Sequence, residues 1–304
     1  MQKWFLALSA ALFFSQLPLA TAQVKFGIRA GVNFSTMFGD RELGSDGKKM
    51  ELFKSTTKIG AAATFFIPFN KRLGLYSELA FVQRGMYYRF EGPSYLRLPN
   101  YQNQGELFFK GHNRVHGMNI SNGYLEIPAL FYFKPIENRL HLEFGPSVAF
   151  LVSSRAMGTI KYTDPDHPNN IVEMDLNYRY MKDELGATAS TFTNFGTALP
   201  SGTRTGRIDG TTISYPQSIG AYYFNSAKDG SYFRVMDFGL NLGASFYFTP
   251  GVRVGARAYY GLMDVSNNFY DESKSQLDAN DQPVKRSDFD RNFGVQLFIG
   301  LQFN

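Results

Sequence analysis

The chain has 304 residues, 16% of them aromatic and 19% charged, with no cysteine and a formal net charge of +5. Without cysteine there is no disulfide, no thiolate chemistry and no lipoprotein anchor, and the scattered positive residues argue against a nucleic-acid partner. A mean hydropathy of −0.24 is too polar for a bundle of membrane helices, and beyond residue 22 no apolar run reaches the roughly 18 residues a spanning helix needs.

Residues 1–22 read as a secretory signal, with Lys3 as the positive start, 4–14 (WFLALSAALFF) as the apolar stretch and Ala20-Thr21-Ala22 as a small-residue cleavage site. A membrane anchor would require a longer span. Beyond it, segments of strict apolar–polar alternation follow in order. A strand's side chains point alternately to its two faces, so a lipid-facing strand is apolar at every second position. Segment 24–35 sets Val24, Phe26, Ile28, Ala30, Val32 and Phe34 outward and Lys25, Arg29 and Asn33 inward. Segments 58–67, 73–87, 124–133 and 140–152 repeat the pattern, as do 237–248, 252–262 and 292–303. No ionisable residue falls mid-strand on an outward face, where Lys or Arg at the lipid midplane costs about 2–4 kcal/mol. A soluble sandwich or lipocalin-like barrel would place its charges on the opposite face.

Short turns at 68–72, 134–138 and 249–251 alternate with long loops at about 37–57, 91–122, 154–236 and 264–290. Aromatics gather beside the short turns, as interfacial girdles do. The expectation is an all-β, eight-stranded antiparallel transmembrane β-barrel at 23–304, with short periplasmic turns and long extracellular loops. Its expected solvent is the lipid of the outer membrane of a Gram-negative bacterium, reached through the barrel assembly machinery.

Seven motifs carry a family likeness: FGIRAGVNFSTM at 26–37, SELAFVQRG at 77–85, YLEIPALFYF at 124–133, EFGPSVAFL at 143–151, DFGLNLGASF at 237–246, RAYYGL at 257–262 and the closing NFGVQLFIGLQF. On these the chain resembles the PorT-type outer-membrane β-barrel proteins of Bacteroidetes-like bacteria. The resemblance implies a signal-cleaved, eight-stranded barrel and no single shared activity. It covers the strands but none of the long loops, and leaves the length of 154–236 unexplained.

The largest charged constellation points inward: Lys25, Arg29, Lys58, Arg84, Arg253 and Arg257 with Glu78, Glu126, Glu143 and Asp237. These residues could line a pore. Eight strands, however, enclose a lumen just wide enough for its own side chains, so a plug of paired charges is expected instead. For enzymatic chemistry the histidines are the first candidates. His112 and His116 have a spacing that binds zinc on a helix, but their Gly- and Asn-rich surroundings read as a solvated loop. His141 reads as a lumen hydrogen-bonding residue, His167 lies in a loop, and serines such as Ser94 or Ser201 have no nucleophile-elbow motif. The acidic stretches 164–170 and 271–281 lack the twelve-residue calcium pattern. No cofactor or metal is expected.

Within 154–236, the stretches 158–163 and 171–180 alternate and predict a hairpin above the membrane. Downstream, 186–230 offers exposed-looking Phe192, Phe195, Tyr215, Tyr222, Tyr223 and Phe224. Aromatics on loops held by a rigid scaffold suit recognition, and they equally suit a lid over the barrel mouth. The functional expectation is a non-enzymatic protein of surface binding or envelope assembly, acting through its loops on an extracellular ligand or envelope partner. A narrow transport channel is the alternative, and a rim hydrolase or acyltransferase a more remote one.

Overall fold

The computed structural model describes residues 24–100, 105–137, 139–188, 191–192, 198–199 and 202–303. The expected signal at 1–22 lies outside them. The strands are β1 (Lys25–Phe38), β2 (Glu51–Lys54), β3 (Thr56–Pro68), β4 (Leu73–Arg84), β5 (Tyr87–Asn100) and β6 (Gly105–Ile136). Then come β7 (Leu140–Thr163), β8 (Ile171–Arg179), β9 (Thr191–Phe192), β10 (Ala198–Leu199), β11 (Thr203–Ile208) and β12 (Thr211–Pro216). The last are β13 (Ser218–Ile219), β14 (Met236–Thr249), β15 (Val252–Gly261), β16 (Glu272–Leu277), β17 (Pro283–Lys285) and β18 (Arg291–Phe303).

Twelve strands form one sheet in the order β13-β8-β7-β14-β15-β18-β1-β3-β4-β6-β5-β2, and β7 also pairs with β6. That extra pairing closes a circuit. The antiparallel ladder leaves β1 through β3, β4 and β6 and returns through β7, β14, β15 and β18. Closure leaves the strands of the circuit no open edge. The other four strands of the sheet, β2, β5, β8 and β13, attach at the long-loop end.

Around the circuit the outward apolar residues are exposed, among them Ile28, Ile59, Leu79, Ile127, Phe144, Leu242 and Ile299, while inward Arg29, Glu78, Glu126, Glu143 and Arg257 are buried. This is the reverse of a water-soluble sheet and is what hydrocarbon around the barrel demands. Ring pairs such as Phe26–Phe65 and Phe246–Phe248, with centroids 5.6 and 5.4 Å apart, mark the short-turn end.

The sheet therefore has twelve strands rather than the expected eight, and 91–100 and 105–122, expected as loop, lie in strands. The reason is a change of solvent along the same strands. Above the band the apolar set turns inward: on β8 Val172, Met174, Leu176 and Tyr178 are buried while Glu173 is exposed. On β6 the inward series Glu126, Tyr124, Asn122, Ile120 continues upward without changing parity to His116 and His112, all of them buried. Lower β6 pairs with β4 and upper β6 with β5, just as lower β7 pairs with β14 and upper β7 with β8. Two long strands thus belong to both levels.

The hairpin expected at 158–163 and 171–180 is present as upper β7 and β8, in register from Thr163↔Ile171 to Arg155↔Arg179. A second hairpin, β11–β12, turns on Asp209-Gly210, whose φ values of 47° and 73° suit the two-residue turn favoured between twisted strands. The largest cluster of buried apolar side chains lies at this upper level and includes Met37, Phe90, Ile160, Met174, Ile213 and Tyr222.

Candidate functional site

Inside the circuit, eight of the ten predicted charges come together. Arg29 donates through Nε and Nη2 to both oxygens of Glu78 at 2.5 Å, and Arg257 reaches the same carboxylate at 3.0 and 3.2 Å. Arg257 also donates to Glu143 at 2.7 Å, where Arg253 joins it at 3.0 Å. Tyr76 links the two acids, donating to Glu78 and accepting from Arg253. Higher up, Arg84 pairs with Glu126 at 2.5 Å and Asp237 at 3.5 Å and stacks 3.6 Å from the Tyr259 ring centroid. Four arginines thus face four carboxylates, so burial leaves no net charge. The space between the upper and lower sets is about 20 Å³, room for a water and little else.

The remaining two charges stand apart. Lys25 is half-buried at the short-turn end beside Lys134. Lys58 donates to Asn119 at 2.8 Å at the long-loop end of β3.

Above this plug the strands enclose a vestibule of about 380 Å³. Its floor carries Met37, Met86, Met118 and Ile120, and its walls carry Tyr88, Tyr95, Tyr162, Tyr178, Tyr180 and Tyr232. Arg114 and His116, from the inward face of β6, also line it. Burial first, and the positive charges of Arg114 and Lys274 second, hold the His116 imidazole well below its usual range, so the ring is neutral. Gly111, at φ 77°, is the extra residue opposite Ser94/Tyr95; the resulting bulge lies just before His112.

The outer wall is a latch of charges between the 39–50 segment and the β16–β17 hairpin. Glu42 accepts Ser273 Oγ and Ser275 Oγ, each at 2.5 Å, and the backbone N–H groups of Lys274 and Ser275 at 3.0 and 3.1 Å. Burial works to raise the Glu51 carboxyl, but Lys274 and Arg286 overcome it and hold it at about 2. Nearby, burial and then a hydrogen bond with Asp271 push Asp288 up to about 8. Burial and then the charge of Asp264 push Asp290 up to about 6.

The four predicted loop aromatics whose side chains are described are not exposed. Tyr215, Tyr222 and Tyr223 are buried in the upper core and Phe224 packs against it, because these rings cover apolar surface that water would otherwise meet. Phe224 also lines the vestibule. Phe195 lies outside the described residues, and so does Ser201; Phe192 falls in β9, where only the backbone is described.

His112 and His116 are buried strand residues rather than solvated loop residues. Four residues apart in a strand puts them about 13 Å apart along the chain, too far to share one ion. His112 instead meets Asp209 at 3.0 Å, and the ligand atoms of His112, Asp164 and Asp209 lie within 4.8 Å of one another. Asp164 already accepts the N–H groups of Asp166 and His167 at 2.9 and 3.2 Å, so this group satisfies much of its own demand. In the other acidic stretch Asp278 accepts the N–H groups of Asn280 and Gln282, both at 2.8 Å. Ser94 is buried and donates to the Lys274 carbonyl. His141 stacks on Tyr132 at 5.5 Å at the short-turn end. Arg114, Met118 and the wall tyrosines escaped the sequence reading, although the unbroken even parity from Glu126 to His112 was a signal for them.

Among curated proteins none matches the chain. Its fold is similar to that of Ail, the attachment invasion locus protein of Yersinia pestis, solved with the heparin analogue sucrose octasulfate. That likeness has 13% identity, covers 92% of this chain and 99% of that one, and has a TM-score of 0.34. Neisserial surface protein A is similar at 11% identity, 91% and 97% coverage and a TM-score of 0.35. OprG of Pseudomonas aeruginosa is similar at 11% identity, 92% and 96% coverage and a TM-score of 0.29. The outer membrane protein beta-barrel domain family matches residues 14–267. With its exposed apolar band and buried polar lumen, the chain belongs to that family and resides in the outer membrane of a Gram-negative bacterium.

Proposed function

We propose that this protein is a non-enzymatic surface receptor that captures a ligand in the vestibule, with its long-loop end facing outward. The observation that carries the reading is a tyrosine-walled cavity of about 380 Å³ above a barrel whose lumen is filled by paired charges. A cavity of that size suits a small organic molecule, and the plug below favours holding it over passing it through the membrane. The PorT-type likeness of the strand motifs fits this reading, since it ties the strands to the barrel and leaves function to the outer parts. The 154–236 segment then serves as wall and roof, through Tyr178, Tyr180, Phe224 and Tyr232.

The test fills the cavity. Trp4 is the only tryptophan in the sequence, so in protein lacking residues 1–22 a Met118→Trp change both occupies the vestibule and places one reporter there. Folded wild-type protein exposed to spent culture medium, washed and analysed by mass spectrometry should release a compound that Met118→Trp does not retain. Identical released compounds from both proteins, with both still heat-modifiable on gels, would sink the capture reading.

A further inference from the structure

Building on the capture reading, we infer that the vestibule recognises an organic monocarboxylate, with Arg114 as the residue that meets its charge. In the lumen below, Arg29, Arg84, Arg253 and Arg257 each face a carboxylate. Arg114 does not. The groups around it are tyrosines, Tyr162, Tyr88, Tyr178 and Tyr95, and no acid among the described residues pairs with it. Its Nη2 donates to His116 Nδ1 at 3.0 Å, its Nε has no acceptor, and the guanidinium lies 5.6 Å from the Tyr162 ring centroid.

Arginine only donates, so His116 Nδ1 is the acceptor and the proton of the neutral ring sits on Nε2. That N–H is buried and has no partner either. A withdrawn guanidinium without a counter-charge is unfavourable, and here it borders a cavity large enough to admit one. The cation and the orphan imidazole N–H ask for the same thing, an anionic oxygen acceptor in a planar group that matches the guanidinium fork.

Charge count and surface narrow the class. The other cations that line the cavity, Arg97, Lys274, Lys285 and Arg286, each have a carboxylate partner. Asp271, Asp288 and Asp290 line the same cavity. Among the described residues this leaves the cavity one cation without a carboxylate partner, which suits a monoanion and opposes a dianion such as sulfate. The rings around Arg114 offer stacking faces to an apolar or aromatic body.

The experiment compares 3-phenylpropionate with its neutral analogue 3-phenylpropanamide, and with inorganic sulfate, by calorimetry on the folded full-length mature protein in detergent at pH 7. The acid should bind at least about tenfold more tightly than the amide, the fold-change expected when a charged partner is left unmatched. Sulfate should neither bind measurably nor displace the acid. Arg114→Gln should abolish the preference, so that the variant binds acid and amide alike. The acid–amide comparison uses unaltered protein, so it decides the matter even where Arg114→Gln fails to fold. Equal binding of acid and amide, binding of neither, or displacement of the acid by sulfate overturns the inference. A compound retained from culture medium alongside equal acid and amide binding refutes the carboxylate assignment alone, whereas no retained compound refutes capture itself.

Discussion

Glu78 is the residue on which the lumen turns, since Arg29, Arg257 and Tyr76 all donate to it. Replacing one partner of a buried ion pair leaves the other charge uncompensated, at about 3–5 kcal/mol. Glu78→Gln should therefore lower unfolding stability in detergent by that order, read from urea titration of the heat-modifiable form. A loss under about 1 kcal/mol would mean the network is not continuous. This part of the protein was legible beforehand. Alternation in 24–35 and 73–87 put Arg29 and Glu78 inward, and the geometry of a narrow barrel forced them to meet. Arg114 was missed because KGHNRVHGMNISNG has the composition of a loop, which hid the even parity that runs up from Glu126 through it. Tyr215 and Tyr222 were misjudged for a related reason: a sequence shows a ring but not the apolar surface it covers.

Among the elements, β14 offers a direct check of the lipid face. Leu242 sits mid-strand and is 64% exposed, while Phe246 lies toward the short turn. Arginine at the midplane costs about 2–4 kcal/mol and near the interface about 0–1. Leu242→Arg should therefore impair assembly far more than Phe246→Arg, measured as the folded fraction in membranes. Equal damage at both depths would contradict the position of the band.

The 264–290 segment behaves differently because two of its acids, Asp288 and Asp290, titrate near neutrality. Asp288 is raised to about 8 and Asp290 to about 6, by burial first and then by Asp271, Asp264 and Glu51, with Arg286 opposing. A raised acid binds protons more tightly folded than unfolded. The stability it contributes is complete below about pH 4 and is lost as pH climbs through the folded values. Hydrogen exchange across 264–290, corrected for intrinsic rates, should accelerate from pH 5 to 9, and Asp288→Asn should flatten that rise. Protection independent of pH would show that these carboxyls do not hold the latch.

At the scale of the whole molecule, one chain solves two solvation problems with the same strands. Facing hydrocarbon, it is apolar outside and charged within; above, it is polar outside and apolar within. Sequence patterning reported the first level because lipid imposes a strict rule on every second residue. It missed the second because water tolerates mixed surfaces, so alternation there is weaker and the bulged parity of β7 near Ser153 breaks it further. The neutral plug yields a prediction at this scale: purified protein in a planar bilayer should give no steady conductance. A reproducible large channel would require the paired lumen to open.

The sharing of β6 and β7 between the two levels has a mechanical consequence. Residues 105–122 of β6 continue the membrane ladder without a linker, on the order of 60 Å of strand contour. Such a beam has no joint at the bilayer surface, so the mouth of the vestibule cannot nod independently of the barrel. Any change in membrane thickness that tilts the barrel is levered into the aim of the opening, which makes the surrounding lipid part of how that opening is directed.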